Sequence, residues 1–272
     1  MGNQKLGSIA LIGGGPAALF MLKEIVNQNL QVESIYIFEK NERLGVGMPY
    51  GKYGSCNEHL ANVSANEIPE LIYDVSTYLS KYPSDDFPDY YLNGISNPYQ
   101  VLPRLLLGNY LENQFHEYIK LAIKIKIKVH VLTETAVTDL VYDRTKENYK
   151  VIITDDKEYE VGLAVICTGH YWPITFEGKT KGWYDSPYPP SKFDQKTNFP
   201  VAIKGASLTA VDAVKTLSRL NGQYNYDGDQ VSYVLNEDSK NFSIQFIFTS
   251  LLQIYKKYLP LQSENKKEVV KR

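Results

Sequence analysis

Apolar residues recur along this chain with three different periods, and each period predicts a different element. Short continuous apolar runs at residues 8–12, 35–38 and 163–167 read as strands covered on both faces, the habit of a parallel sheet. Helical spacing, about 3.6 residues per turn, runs from the turn at Pro16 to about Asn27. It returns over residues 100–123 at Leu105, Leu106, Leu111, Phe115, Ile119 and Ala122, with Pro103 near the start. Residues 68–79 predict a further helix, and residues 84–89 a turn-rich connector. Strict alternation sets Ile123, Ile125, Ile127, Val129 and Val131 against Lys124, Lys126, Lys128 and His130, which predicts an amphipathic strand with a basic, solvated face. Runs at 136–142, 149–154 and 158–167, parted by Asp143-Arg144 and Asp155-Asp156, predict a β-meander that returns to the parallel sheet. A strand at 199–204, a helix to about Asn221 and a strand at 242–248 follow.

The first run leads into Gly13-Gly14-Gly15-Pro16-Ala17-Ala18, and the second stops at Glu39. Strand, glycine turn, helix, strand and acid is the order of a dinucleotide-binding unit. Gly13 permits the tight turn, Gly15 lets backbone approach a pyrophosphate, and Ala18 is small enough for the helix to lie near the strand. Pro16 fits the first helical turn because its missing N–H would have had no partner there. The helix start offers N–H groups and a positive dipole end to phosphates. Glu39, 26 residues after Gly13, suits the hydroxyls of an adenosine ribose and favours NAD or FAD over NADP.

Composition narrows the function classes. A net charge of −2 gives no electrostatic case for nucleic acid. Two cysteines, Cys56 and Cys167, stand far apart in unlike contexts, without disulfide or metal-ligand spacing, and a reducing cytoplasm is the expected setting. No stretch reaches the roughly 18 apolar residues of a membrane span.

Residues 40–53 hold Gly45, Gly47, Gly51 and Pro49, so the backbone either passes close to something flat or bulky or forms a surface loop. The amide-rich run after Asn57 closes turns or meets a heterocycle edge, and composition favours turns. LGVGMPYG (44–51), with GGGPAA before it and NEHLANVSANEIP (57–69) after it, resembles bacterial FAD/NAD(P)-binding proteins related to the class B flavin monooxygenases and amine N-hydroxylases. That resemblance implies an FAD site at Gly13, Gly15, Pro16, Ala17, Ala18, Glu39, Lys40, Gly45, Gly47, Pro49, Asn62 and Val137. Arg104, opening the long helix, is implied as a phosphate or flavin contact, with a surface arginine the equal alternative. Residues 163–170 end in Cys167-Thr168-Gly169-His170 and resemble the ATG element that closes such FAD domains, which adds Thr168 and Gly169. Cys167 is expected to be a small buried hydrophobe, and His170 a polar loop residue rather than a base.

Gly205-Ala206-Ser207 resembles the second dinucleotide fingerprint of the same family. Ser207 stands where the central glycine would be, so NAD(P)H is a weaker expectation than FAD. The strand at 242–248 ends without a ribose-selecting acid or arginine.

The expected fold is α/β: a Rossmann-like FAD domain over residues 1–171 with a helical insertion at about 67–123, a crossover at 172–198, a partial second lobe at 199–250 and a basic tail at 251–272. The expected function is an FAD-dependent, NAD(P)H-using, monooxygenase-like oxidoreductase on a small-molecule substrate, with neither membrane nor nucleic acid as partner. The alternative is a shortened, non-catalytic FAD-holding module. Unpaired strands in the second lobe lead to an expectation of self-association.

Overall fold

The structure, a computed structural model, describes residues 6–93, 99–228 and 230–247. The chain divides into two compact units, Met1–Pro173 and Ile174–Arg272.

The first unit runs β1 (Leu6–Ile12), α1 (Pro16–Asn27), β2 (Val32–Phe38), the single-turn α2 (Gly47–Tyr50), β3 (Leu60–Ser64), α3 (Val75–Lys81), α4 (Pro88–Asn93), β4 (Val101–Pro103), α5 (Arg104–Lys124), β5 (Lys128–Leu132), β6 (Val137–Asp143), β7 (Asn148–Ile153), β8 (Glu158–Val161) and β9 (Leu163–Ile166). Four strands form a parallel sheet in the order β5-β2-β1-β9. Because side chains alternate across a strand, each face has its own core. Ile9, Leu11, Ile35 and Ile37 face one side, where Leu19 and Leu22 of α1 and Leu106 and Phe115 of α5 meet them. Ala10, Ile12 and Phe38 face the other, covered by Val151, Ile153 and Val161 of the β6-β7-β8 meander. Three layers result: helices, parallel sheet and meander.

Several elements differ from the sequence expectation. The predicted strand from Ile123 begins five residues later. Helix α5 carries on through Lys124, the Ile125 N–H still bonds to the Leu121 carbonyl at 3.0 Å, and Lys126 turns the chain at φ 70° before β5. Here a short alternation was the accidental product of a helix end and a turn. The helix expected from residue 68 starts only at Val75, where the Asp74 carboxylate accepts the Thr77 N–H at 2.7 Å and caps it. The run 158–167 is two strands. At Gly162 the chain leaves the meander and joins the sheet, its N–H bonding to the Ser8 carbonyl at 2.9 Å.

The second unit contains β10 (Pro200–Lys204), α6 (Leu208–Asn221), β11 (Gly222–Asp227), β12 (Gln230–Leu235) and β13 (Ser243–Ile247). β10 and β13 pair in parallel, with α6 between them in sequence. The antiparallel hairpin β11–β12 was not foreseen, although Tyr224 and Tyr226 facing Tyr233 and Val231 around Asp227-Gly228 carry an alternation and a turn signal. One face of the parallel pair bears Val201, Ile203, Ile244 and Phe246, and the other Pro200, Ala202, Lys204, Ser243, Gln245 and Ile247. The second face mixes apolar and polar residues, and Phe246 on the first face and Ile247 on the second are exposed.

Before β10, residues 175–192 are knotted around Asp185. One carboxylate oxygen accepts the N–H groups of Thr175, Phe176 and Glu177, and the other accepts Trp183 Nε1. These donors, the Glu177 amide foremost, hold the Asp185 carboxyl down at about 2. Phe248 and the tail at 251–272 lie outside the described residues.

Candidate functional site

At the carboxyl end of β1 the chain turns at Gly13 with φ 101°, and a side chain there would collide with the Cys167 carbonyl. The Gly13 N–H bonds to the Phe38 carbonyl at 2.8 Å, and the Cys167 N–H to the Ile12 carbonyl at 2.7 Å, so the ends of β2 and β9 are tied to the turn from both sides. Gly15 is the N-cap of α1 and Pro16 its first residue, and no side chain caps the helix. Ala18 is fully buried against the sheet, while Ala17 is exposed beside it.

Glu39 is only 6% exposed, and its carboxylate is fully oriented. One oxygen accepts the Gly14 N–H at 2.8 Å. The other accepts the Asn41 backbone N–H at 2.8 Å and its Nδ2 at 2.9 Å. Gly14 was passed over in the sequence reading, yet a Cβ on it would lie 2.6 Å from Leu44 Cδ2 and 2.9 Å from Glu39 Cβ. The third consecutive glycine was the available signal. Loop 133–136 closes this edge, with Thr135 N–H on the Glu39 carbonyl at 2.8 Å and Glu134 N–H on the Asn41 carbonyl at 3.0 Å. Val137 opens β6, and its side chain packs into the core under the meander.

The glycine-rich loop after β2 lies against the turn and against α5. Gly45 N–H bonds to the Gly14 carbonyl at 2.7 Å. A Cβ on Gly45, at φ 79°, would sit 2.7 Å from the Leu111 carbonyl oxygen, and one on Gly47 would sit 3.0 Å from Pro16 Cδ. One on Gly15 would stand 3.3 Å from Gly47 Cα. Gly108 of α5 likewise admits the Tyr50 carbonyl. Arg43, unremarked in the sequence, fixes the loop to α5. Its Nε donates to Glu112 at 3.0 and 3.1 Å, and a terminal nitrogen donates to Asn109 Oδ1 at 2.8 Å. The Glu112 carboxylate raises the Arg43 pKa above its ordinary value. Such a bidentate, half-buried pair positions backbone better than an exposed lysine pair would. Between this loop and Glu134 opens a cleft of about 470 Å³, lined by Lys40, Asn41, Arg43, Gly47, Tyr53 and Glu134.

Gly13, Gly15, Pro16, Glu39, Gly45, Gly47 and Thr168 thus converge, with Lys40 on the adjoining cleft. Pro49, in α2, accepts Ser55 Oγ at 2.6 Å through its carbonyl. Asn62 and Arg104 stand at a second place, the start of α5. There Arg104 donates from its backbone N to the His59 carbonyl and from Nε to the Leu60 carbonyl, both at 2.9 Å, and Asn62 is exposed on β3. His59, 1% exposed, was not anticipated: its Nδ1 accepts the Cys56 N–H at 3.1 Å and so holds the preceding loop. Gly169, at φ 77°, has open space around it. Burial raises the Cys167 thiol pKa, as expected of a structural cysteine.

In the second unit Gly205 turns at φ 110°, and Ser207, with ordinary extended dihedrals, is the uncapped N-cap of α6. Deeper in that unit the fully buried Asn221 is a hub, its Oδ1 accepting the Thr197 N–H at 2.6 Å and Ser239 Oγ at 3.0 Å. Among the described residues no group of three or more His, Cys, Asp or Glu side chains is placed to hold a metal, and no helix is long and apolar enough to cross a membrane.

The donor set at the first turn fits the adenosine-diphosphate half of a dinucleotide. An uncapped helix start is the kind of group that takes a phosphate, a buried and oriented acid the kind that takes ribose hydroxyls, and glycine backbone without Cβ stands beside both.

A family model described as FAD-NAD(P)-binding matches residues 10–171. The uncharacterized protein YdhS of Escherichia coli (strain K12) is 30% identical over 244 residues, which are 89% of this chain and 45% of that protein. This chain therefore spans less than half the length of that relative. A cyclohexanone-bound cyclohexanone monooxygenase in its rotated conformation shares the fold, with a TM-score of 0.50 at 14% identity over 85% of this chain and 42% of that one. OTEMO in complex with FAD and NADP aligns with a TM-score of 0.46 at 15% identity, over 80% of this chain and 38% of the other.

Proposed function

This chain belongs to the FAD-NAD(P)-binding family, and from that premise we propose that it is an FAD-dependent oxidoreductase of the NAD(P)H-using, monooxygenase-like kind. The observation that carries the reading is the Glu39 carboxylate, buried and locked to the Gly14 N–H within the first glycine turn. That bond holds the acid beside the glycine turn, which supports a ribose there next to a diphosphate at the α1 start. Bound FAD would supply the electron and oxygen chemistry, which no side chain of the protein can perform.

The residues of the chain bind, orient and exclude. Gly13 and Gly15 bring backbone to the diphosphate, and Glu39 accepts from the ribose. Arg43 and Glu112 hold Gly45 and Gly47 against the turn, so the cradle exists before any ligand arrives and little ordering is needed on binding. Lys40, Pro49, Asn62, Arg104, Val137, Thr168 and Gly169 are assigned to the remaining length of the FAD. Gly205 and Ser207 are assigned to a weaker nicotinamide-dinucleotide site, because Ser207 carries a Cβ where Gly15 carries none.

Purified protein is expected to be yellow, to release FAD on denaturation and to bleach anaerobically with NADH or NADPH. Colourless protein that takes up no FAD on titration overturns the assignment. A yellow protein that neither nicotinamide bleaches supports the FAD-holding module instead.

A further inference from the structure

Beyond the adenosine-diphosphate cradle, the end of β9 leads into a short row of ring-bearing residues. β9 runs beside β1 in register, with Ile166 opposite Ile12, and the chain then passes directly over Gly13. The left-handed Gly169 turns it outward, and His170, Tyr171 and Trp172 follow in a row. All three are exposed, Tyr171 at 82% and Trp172 at 40%. The His170 and Trp172 rings lie 4.4 Å apart between centroids, tilted by 54°.

Their place gives them a use. In an open parallel sheet, ligands bind outside the carboxyl ends of the strands, at the point where strand order reverses. In the order β5-β2-β1-β9 that point lies between β1 and β9, and the Gly169–Trp172 segment leaves from it.

We propose that Trp172, oriented by His170, is a stacking platform for the isoalloxazine end of the bound dinucleotide. Trp172 is the contact residue and His170 a positioning residue. An indole offers a broad, rigid face, and the tilted imidazole restricts its rotation, so the platform is formed in advance of the ligand. This inference rests on the FAD reading above.

The experiment separates the two. ADP, FAD and FMN are titrated into the flavin-free protein, parent and variants, following the heat of binding for all three and flavin emission for FAD and FMN. ADP probes the Gly13–Glu39 cradle alone, and FMN probes the ring without the adenosine. In the parent, ADP and FAD bind and FAD emission is quenched. Trp172→Leu is expected to bind ADP as the parent does, to bind FAD about three- to tenfold more weakly and to recover flavin emission. Trp172→Phe should restore most of the affinity, and His170→Phe should retain it, whereas His170→Ala should show part of the loss. Because Trp172 is partly exposed, unchanged ADP binding also certifies the fold of each variant. A parent that binds neither ADP nor FAD defeats the function assigned above. A parent that binds both, with Trp172→Leu unchanged in FAD affinity and emission, defeats the platform alone.

Discussion

Two glycine turns in this protein share one backbone plan and differ in what surrounds it. At the first, Gly13 N–H bonds to the end of β2 at 2.8 Å, and the Gly15 carbonyl receives the N–H groups of Ala18 and Leu19 at 3.0 and 3.2 Å. At the second, Gly205 N–H bonds to the end of β13 at 2.9 Å, and the Ser207 carbonyl receives those of Ala210 and Val211 at 2.9 and 3.2 Å. The backbone is repeated almost bond for bond. The surroundings of the two turns differ. Among the described residues nothing lies within 4 Å of a Cβ built on Gly205, whereas Gly13 is pressed by Cys167, Gly14 by Leu44 and Glu39, and Gly15 by Gly47. The position after β13 that matches Glu39 after β2 is Phe248 in the sequence. A glycine turn and a helix start are therefore only half of a dinucleotide site. The acid and the second glycine loop that press on the turn supply the rest.

The largest expected contrast is steric. Gly13→Ala drives a methyl group into the Cys167 carbonyl and should cost the first unit about 4 kcal/mol or more, whereas Gly205→Ala meets open space and carries only backbone strain, about 1–3 kcal/mol. The two tryptophans, Trp172 and Trp183, fall one in each unit, so single-tryptophan variants followed by fluorescence in denaturant report the units separately. Equal losses at the two turns would erase the distinction.

Next in size is Glu39→Lys. It strips the Gly14 and Asn41 N–H groups of their acceptor and should lower the stability of the first unit by about 1–3 kcal/mol. It should also abolish FAD retention while leaving the second unit unmoved. Retention of FAD equal to the parent's after dialysis would break the assignment of Glu39.

The smallest effect is expected at Ser207. Ser207→Gly removes the Cβ from the second turn and should tighten NAD(P)H binding about tenfold, the equivalent of relieving a modest overpacking cost of roughly 1–2 kcal/mol. Calorimetry showing no gain would mean that the serine does not crowd the phosphate.

What the sequence disclosed follows from which interactions are local. The turn at Gly13, the helix after Pro16 and the strand before Glu39 were legible because each is written within a dozen residues as a period and a stop. The meander was legible for the same reason, its strands being separated by charged pairs. The start of α3 was misplaced, since the Asp74 cap is one side chain and leaves no period. Gly14, Arg43 and His59 were missed because their reasons lie in Glu39, Glu112 and Cys56, and two of those three contacts cross tens of residues. The false strand at Ile123 teaches the converse: alternation across a helix end is a coincidence of two short segments that only the packing of α5 resolves.

Lys204 brings the two-stranded pair of the second unit into a different light, that of a chain leaving the ribosome. Among the described residues β10 and β13 have only each other as partners, and each keeps one open edge. A pair of short strands with free edges invites pairing with any other extended chain it meets. Lys204 sits in register with the exposed Ile247 and puts a charge where a stranger's strand would have to stack. The same lysine that adds nothing to a core thereby acts as a gatekeeper while the protein is being made.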